Sequence, residues 1–239
     1  MTRTVVVSDL HGRSDLLTRA LDHAGFSGGD SLIIAGDLVD VGTDDTIALA
    51  DELGATVLAG NHEVSAAIGL RISPQNPETL KMGPELARRF ASGEWPLAVA
   101  VDGWLVTHAG VSVALDDIVM RAGGEPEAVA TALNDLFRTE ISSAVRRMPV
   151  TWDDLTSFRL IGGEMGPLWF RPMSLHHVPS GLRQVVGHTP PEMLSESHLA
   201  ALESRGWRLV EPGNRGEAGS AYRYAVIEDG ESHVEEAPL

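Results

Sequence analysis

Five short polar motifs carry the residue types that bind divalent cations and move protons: Asp9-x-His11, Gly36-Asp37-x-x-Asp40, Gly60-Asn61-His62-Glu63, His108 and His188. Two metal ions roughly 3.5–4 Å apart need one carboxylate that reaches both and separate ligands for each. Asp37 is the candidate bridge. Asp9 and His11 would complete one ion, and Asn61, His108 and His188 the other. Carboxylate, amide oxygen and imidazole together suit Mn, Fe or Zn better than Ca. Such a pair lowers the pKa of a shared water, so that a hydroxide bridging the ions exists at neutral pH, and it neutralises charge growing on a phosphoryl group. The expected chemistry is hydrolysis of a phosphate ester. His62 is not a ligand in this reading. It sits beside Asn61, close enough to protonate the leaving oxygen, and Asp40, one turn past Asp37, would orient it.

Each residue alone has a plainer reading. Asp9 and Asp37 can cap helices, Asn61 can serve a turn, and His108 and His188 can be core histidines bonded to backbone carbonyls. What separates the readings is position, because each motif follows a segment with strand character.

Thr4 to Val7, Leu32 to Ala35 and Thr56 to Ala59 are short apolar runs that read as buried strands. A helix from Ser14, stopped by Gly25, follows the first, and a helix from about Asp44 to Leu53 follows the second. Successive strand–loop–helix units imply a largely parallel sheet covered by helices, and ligands gather at the carboxyl ends of such strands. Val99 to Thr107 reads as a further strand ending at His108, and Gln184 to Val186 as another ending at His188. Between Val64 and Pro96, Pro74, Pro77 and Pro84 break the pattern, and the stretch reads as an insertion over the site. A long helix is expected from about Pro126 to Arg146. Trp207 to Val210 and Tyr222 to Ile227 alternate as an antiparallel hairpin would. The domain expectation is a single domain over residues 1–239, with cap-like insertions at about 64–96 and 111–160.

The 239 residues are 43% hydrophobic, enough for a sizeable core. No apolar run approaches the roughly 20 residues of a membrane helix, and the N-terminus lacks the apolar stretch of a secretory signal. With no cysteine, thiolate metal sites and cysteine nucleophiles are excluded; a cytoplasmic location is expected. A net charge of -16 repels nucleic acid and anionic lipid. Part of it lies at Glu228, Asp229, Glu231, Glu235 and Glu236, expected to be a solvated acidic terminus.

Taken in order, the five motifs resemble the signature of the calcineurin-like metallophosphoesterases. Thr107-His108-Ala109-Gly110 and Val185-Val186-Gly187-His188-Thr189 look most like the phosphoprotein phosphatase branch and the symmetrical diadenosine tetraphosphate hydrolases. The resemblance implies a two-sheet α/β sandwich with helices outside and an inserted cap region. It also implies a two-metal site, most often manganese, with Fe, Zn or Mg as alternatives, and it supports the ligand roles above and the Asp40–His62 pair. Many superfamily members carry a second His where this chain has Pro190, a departure shared with the phosphatase branch. That branch usually has an Arg where this chain has Val41, and often another at Ala59; both grip substrate phosphate. Pro167-Leu168-Trp169-Phe170-Arg171-Pro172 resembles the segment that places a phosphate-contacting Arg in bacterial members. Arg171 is therefore the first candidate for substrate binding and Arg13 the second.

The function expected is hydrolysis of a phosphomonoester, a phosphoprotein being one form of it. The alternative is a nucleotide hydrolase acting on dinucleoside polyphosphates or a cyclic nucleotide, for which Trp95, Trp169 and Phe170 are candidate walls of a base pocket. An inactive metal-binding scaffold is disfavoured by the complete ligand set.

Overall fold

The computed structural model of the protein describes residues 3–43, 45–212 and 221–239. In chain order these form β1 (Thr4–Val7), α1 (Ser14–Ala24), β2 (Ser31–Ile34), α2 (Thr46–Glu52), β3 (Thr56–Val57), α3 (Asn61–Ala67), α4 (Pro77–Lys81), α5 (Gly83–Ser92), β4 (Ala98–Val101), β5 (Trp104–Thr107), α6 (Asp116–Arg121), α7 (Pro126–Val145), α8 (Trp152–Leu155), β6 (Gln184–Val186), α9 (Glu196–Ser204), β7 (Trp207–Leu209), β8 (Ala221–Glu228) and β9 (Glu231–Pro238). Two mixed sheets face each other. One has the order β3-β2-β1-β8-β9, the other β4-β5-β6-β7. The strands β1, β2 and β3 run parallel, as do β5, β6 and β7, while β8, β9 and β4 are antiparallel to their neighbours. This is the α/β sandwich expected, with helices on the outside.

Period-two alternation builds the layers. Val6 and Ile33 point between the sheets and meet Trp104, Val106 and Val185 from the other sheet. Val5, Val7, Leu32 and Ile34 point the opposite way, into the larger core that also holds Leu16, Leu17 and Leu21 of α1. Strands buried on both faces must read as continuous apolar runs, and β1 does. Outside the second sheet, Trp207 and Leu209 pack with Phe170 and Leu202 in a third cluster. Among the described residues no helix is long and apolar enough to cross a membrane.

Two expectations about the strands are corrected, and a third is sharpened. Val99–Thr107 is not one strand but the hairpin β4–β5, turned at Asp102-Gly103 with φ of 47° and 76°. Both residues lie in the left-handed region that a two-residue hairpin turn demands. Residues 207–210 and 222–227 do not pair with each other. Strand β7 lies parallel to β6 in one sheet, and β8 lies antiparallel to β1 in the other. Alternation marks a half-buried strand and is silent about its partner. The acids of the terminus are mostly exposed, as expected, but they lie on an ordered hairpin, the edge strand β9 turning back on β8 at Asp229-Gly230. Exposed Glu231 and Glu236 on such an edge discourage pairing with another chain. The expected start of the second helix at Asp44 lies outside the described residues; Asp45 caps it, its side chain accepting from Ala48 N–H.

Candidate metal centre

All five motifs converge where the parallel strands of the two sheets end. Their loops are laced together through the main chain: Asp9 N–H donates to Gly36 O, His11 N–H to Asp37 O, and Gly187 N–H to His108 O. Two glycines allow this close approach. A Cβ on Gly187 would collide with Ser8 Oγ and Asp9 Oδ2, and one on Gly60 with Asp37. The backbone is contorted to present the side chains. Asp9, His11, Asp37, Asp40 and His188 have φ of 55°, 49°, 55°, 70° and 62°. Left-handed geometry costs a non-glycine residue roughly 1–2 kcal/mol, and it clusters where function requires it. Asp and His tolerate it better than most residues, whereas the β-branched Val41, at 63°, is the outlier among them.

Each carboxylate spends one oxygen on the framework. Asp9 Oδ2 accepts from Ser8 Oγ at 2.5 Å and from His188 N–H at 2.9 Å. Asp37 Oδ1 accepts from His62 N–H at 3.1 Å. The remaining oxygen, Asp37 Oδ2, is the hub of the site: it lies 3.5 Å from His108 Nε2, 3.6 Å from His11 Nε2 and 3.9 Å from His62 Nε2. His11 Nε2 is also 3.7 Å from Asp9 Oδ1. The rings are turned by their far nitrogens. His11 Nδ1 donates to Val39 O at 3.0 Å and His108 Nδ1 to Ala35 O at 2.8 Å. In the neutral tautomer this leaves each Nε2 with a lone pair facing inward, the arrangement metal-bound imidazoles use.

The donor chemistry fits a divalent cation. His108 Nε2 lies 2.8 Å from Asn61 Oδ1. With His108 Nδ1 committed as a donor, both of these atoms are acceptors, and two buried acceptors at that separation need a cation or a proton shared between them. Among the described residues, two groups could hold an ion, His11–Asp37–His62 and Asp37–His108–His188, and they share Asp37. Burial, then the neighbouring His108 and Arg171, push the His188 ring down to about 3, so it stays neutral and keeps its lone pair. Burial opposes ionisation of Asp37, but His108, His62 and His11 hold its carboxyl below the usual range.

His62 differs from the other rings. Its Nδ1 donates to Asp40 Oδ2 at 2.6 Å, and Asp40 Oδ1 is held by Asn76 N–H at 2.7 Å. Burial disfavours a charged ring here, yet Asp37 and the Asp40 hydrogen bond overcome it and raise His62 to about 9. The ring stands perpendicular to His11, with centroids 4.7 Å apart.

Sequence reasoning gave no role to Glu63. Its carboxylate, fully buried, accepts from the N–H groups of Asp37, Leu38 and Val39 at 3.0, 2.8 and 3.1 Å and fixes the turn that carries the hub. Burial, then Asp37, push it up to about 7 against the pull of His62 and the Val39 N–H. Its place in the third motif was the available signal.

Above the hub opens a cleft of about 770 Å³, lined by Asp9, His11, Asp37, Asn61, His62 and His188 below and by the 150–172 segment at the side. Arg171 lines it and donates to His188 O at 2.6 Å. Arg13 is not among the described lining residues, and its guanidinium is forked onto Asp15 at 2.8 Å. Of the candidate aromatic walls, Trp95 and Phe170 are buried in the core and Trp169 lines the cleft. The segment 64–96 contributes Ser73 and Pro74 to the lining, and 111–160 contributes Trp152, Leu155 and Thr156.

The family model for calcineurin-like phosphoesterases matches residues 2–213. Among solved structures, a cold-active protein-tyrosine phosphatase from a psychrophilic Shewanella sp. is similar, with a TM-score of 0.60 at 18% identity, covering 98% of this chain and 80% of that one. A protein serine/threonine phosphatase from Saccharomyces cerevisiae, described as similar to human PP5, gives 0.54 at 13% identity, covering 100% and 80%. A candidate diadenosine tetraphosphatase gives 0.50 at 19% identity, covering 99% and 94%. At these identities the likeness is one of fold. No curated protein matches the chain in sequence.

Proposed function

The chain belongs to the calcineurin-like phosphoesterase family, and from that premise we propose that it hydrolyses a phosphate monoester in the cleft over Asp37. The observation that carries the reading is the hub: one carboxylate oxygen within 3.5–3.9 Å of three imidazole Nε2 atoms. Asp9, His11 and Asp37 would hold one divalent ion, and Asp37, Asn61, His108 and His188 a second; the mixed N/O donor set suits Mn, Fe or Zn, and the resemblance to the family favours manganese among them. When bound, such ions neutralise phosphoryl oxygens and acidify water.

The protein's own residues do the rest. Asp37 stays ionised to serve both sites. His62, protonated at neutral pH and held by Asp40, gives its Nε2 proton to the departing oxygen. Arg171, anchored on His188 O at the cleft edge, binds the phosphate oxygens. His62 Nε2 is also near enough to His11 and Asp37 to join them around an ion; the salt link to Asp40 favours the protonated ring, which has no lone pair to offer.

A dinucleoside polyphosphate is the less favoured substrate. Among the described lining residues Arg171 is the one Lys or Arg, while Glu164, Glu192 and Glu211 also line the cleft, a poor setting for a chain of phosphates. The test is hydrolysis of p-nitrophenyl phosphate by metal-stripped protein, with Mn²⁺, Mg²⁺, Zn²⁺ or nothing added back. Turnover that depends on the added ion is expected. Equal turnover after chelation, or none with any ion on any monoester, would overturn the proposal.

A further inference from the structure

Trp152 is 55% exposed, an unusual position for a tryptophan, and it lines the cleft together with Trp169. The two indoles meet edge to face, with centroids 5.5 Å apart at 62°. Trp169 is in turn perpendicular to His188, with centroids 6.2 Å apart, so an aromatic wall runs from the candidate ligands outward to solvent. It is also rigid. Trp169 Nε1 donates to Ile161 O at 3.3 Å. Trp152 opens α8, whose start is fixed by a capping box in which Thr151 and Asp154 exchange side-chain and backbone hydrogen bonds. Leu155 and Pro74 extend the apolar lining. Nothing in the hydrolytic chemistry uses these groups, and an exposed indole beside a polar centre is what a planar apolar group would stack on.

We infer that the cleft takes monoesters whose leaving group carries an aromatic ring seated against Trp152 and Trp169. The inference deepens the proposed function and rests on it for the direction in which the ester lies: phosphate over the hub, ring along the wall. A phenol and a nucleobase offer the same stacking face, and a single phosphate suits a lining whose described residues include one guanidinium.

The experiment measures binding rather than turnover. Phenylphosphonate and methylphosphonate, which resist hydrolysis, are titrated into Mn²⁺-loaded protein by calorimetry. Wild type should prefer phenylphosphonate. Trp152→Ala should cut that preference about tenfold, the usual weight of one stacking contact, and Trp152→Phe should restore most of it. Equal affinity for the two phosphonates in wild type, or a preference that survives Trp152→Ala, would overturn the seat. Binding with the predicted preference but no hydrolysis of any monoester would leave the seat standing and sink the proposed activity. Turnover of tyrosine phosphate and of adenosine monophosphate then identifies the ring. A loss on Trp152→Ala confined to one of them supports the seat and names its occupant; a loss shared equally with glycerol 2-phosphate contradicts it.

Discussion

On the floor of the cleft, Asp9, His11, Asp37 and His188 are buried on left-handed backbone, and each side chain is turned by a hydrogen bond or ring contact to its neighbours. On its wall, Trp152 stands half in solvent on a four-residue helix and Arg171 reaches in from a loop. The floor is strained, buried and laced to both sheets, so its geometry is the fold's geometry. The wall is made of connecting segments held by local caps, the kind of structure in which substrate preference is adjusted without disturbing the chemistry. Substitutions on the floor should therefore act on rate and ion binding, and those on the wall on affinity.

The sharpest break is at the hub. Asp37→Asn removes the charge that the two proposed ion sites share, and kcat on p-nitrophenyl phosphate should fall by more than roughly three decades; a fall under tenfold would detach Asp37 from the chemistry. Next, His62→Ala should lower kcat by roughly two to four decades, the weight of general acid catalysis, with the metal content measured by mass spectrometry unchanged. Loss of an ion in that variant would make His62 a ligand instead. A smaller effect separates orientation from proton donation. In the proposed mechanism the protonated His62 is the active form, so with its pKa raised to about 9 activity should fall as pH rises through that value. Asp40→Asn removes a partner that raises it, so the alkaline limb of the kcat profile should move to lower pH; a limb that stays in place would remove Asp40 from that role. The smallest effect belongs to the wall. Arg171→Ala should raise KM several-fold with kcat nearly intact, and an unchanged KM would return Arg171 to supporting His188 O.

The contrast between floor and wall also governs how much the sequence could say. Floor residues were legible because each ends an apolar strand run, as Val5–Val7 before Asp9 and Leu32–Ile34 before Asp37, and the fold puts ligands at strand ends. The two-sheet sandwich entered through the motif resemblance, since strand runs alone do not say which sheet a strand joins. Hence β7 and β8, both alternating, were paired with each other, whereas β7 pairs with β6, and β8 with β1 and β9. Glu63 was visible in its motif but its work was not, because three backbone N–H groups have no sequence signature. Arg13 beside the first motif was the second candidate for a phosphate contact, and its guanidinium is forked onto Asp15 two residues on. Trp152 carries no motif; only the Thr151–Asp154 cap marks its helix.

The central claim is that one carboxylate, Asp37, serves two ions, and titrating metal-stripped wild-type protein with Mn²⁺ by calorimetry tests it most directly. The account predicts two bound ions per chain, with neither site retaining its affinity in Asp37→Asn. A single ion at saturation, or an Asn variant that binds as wild type does, would contradict it.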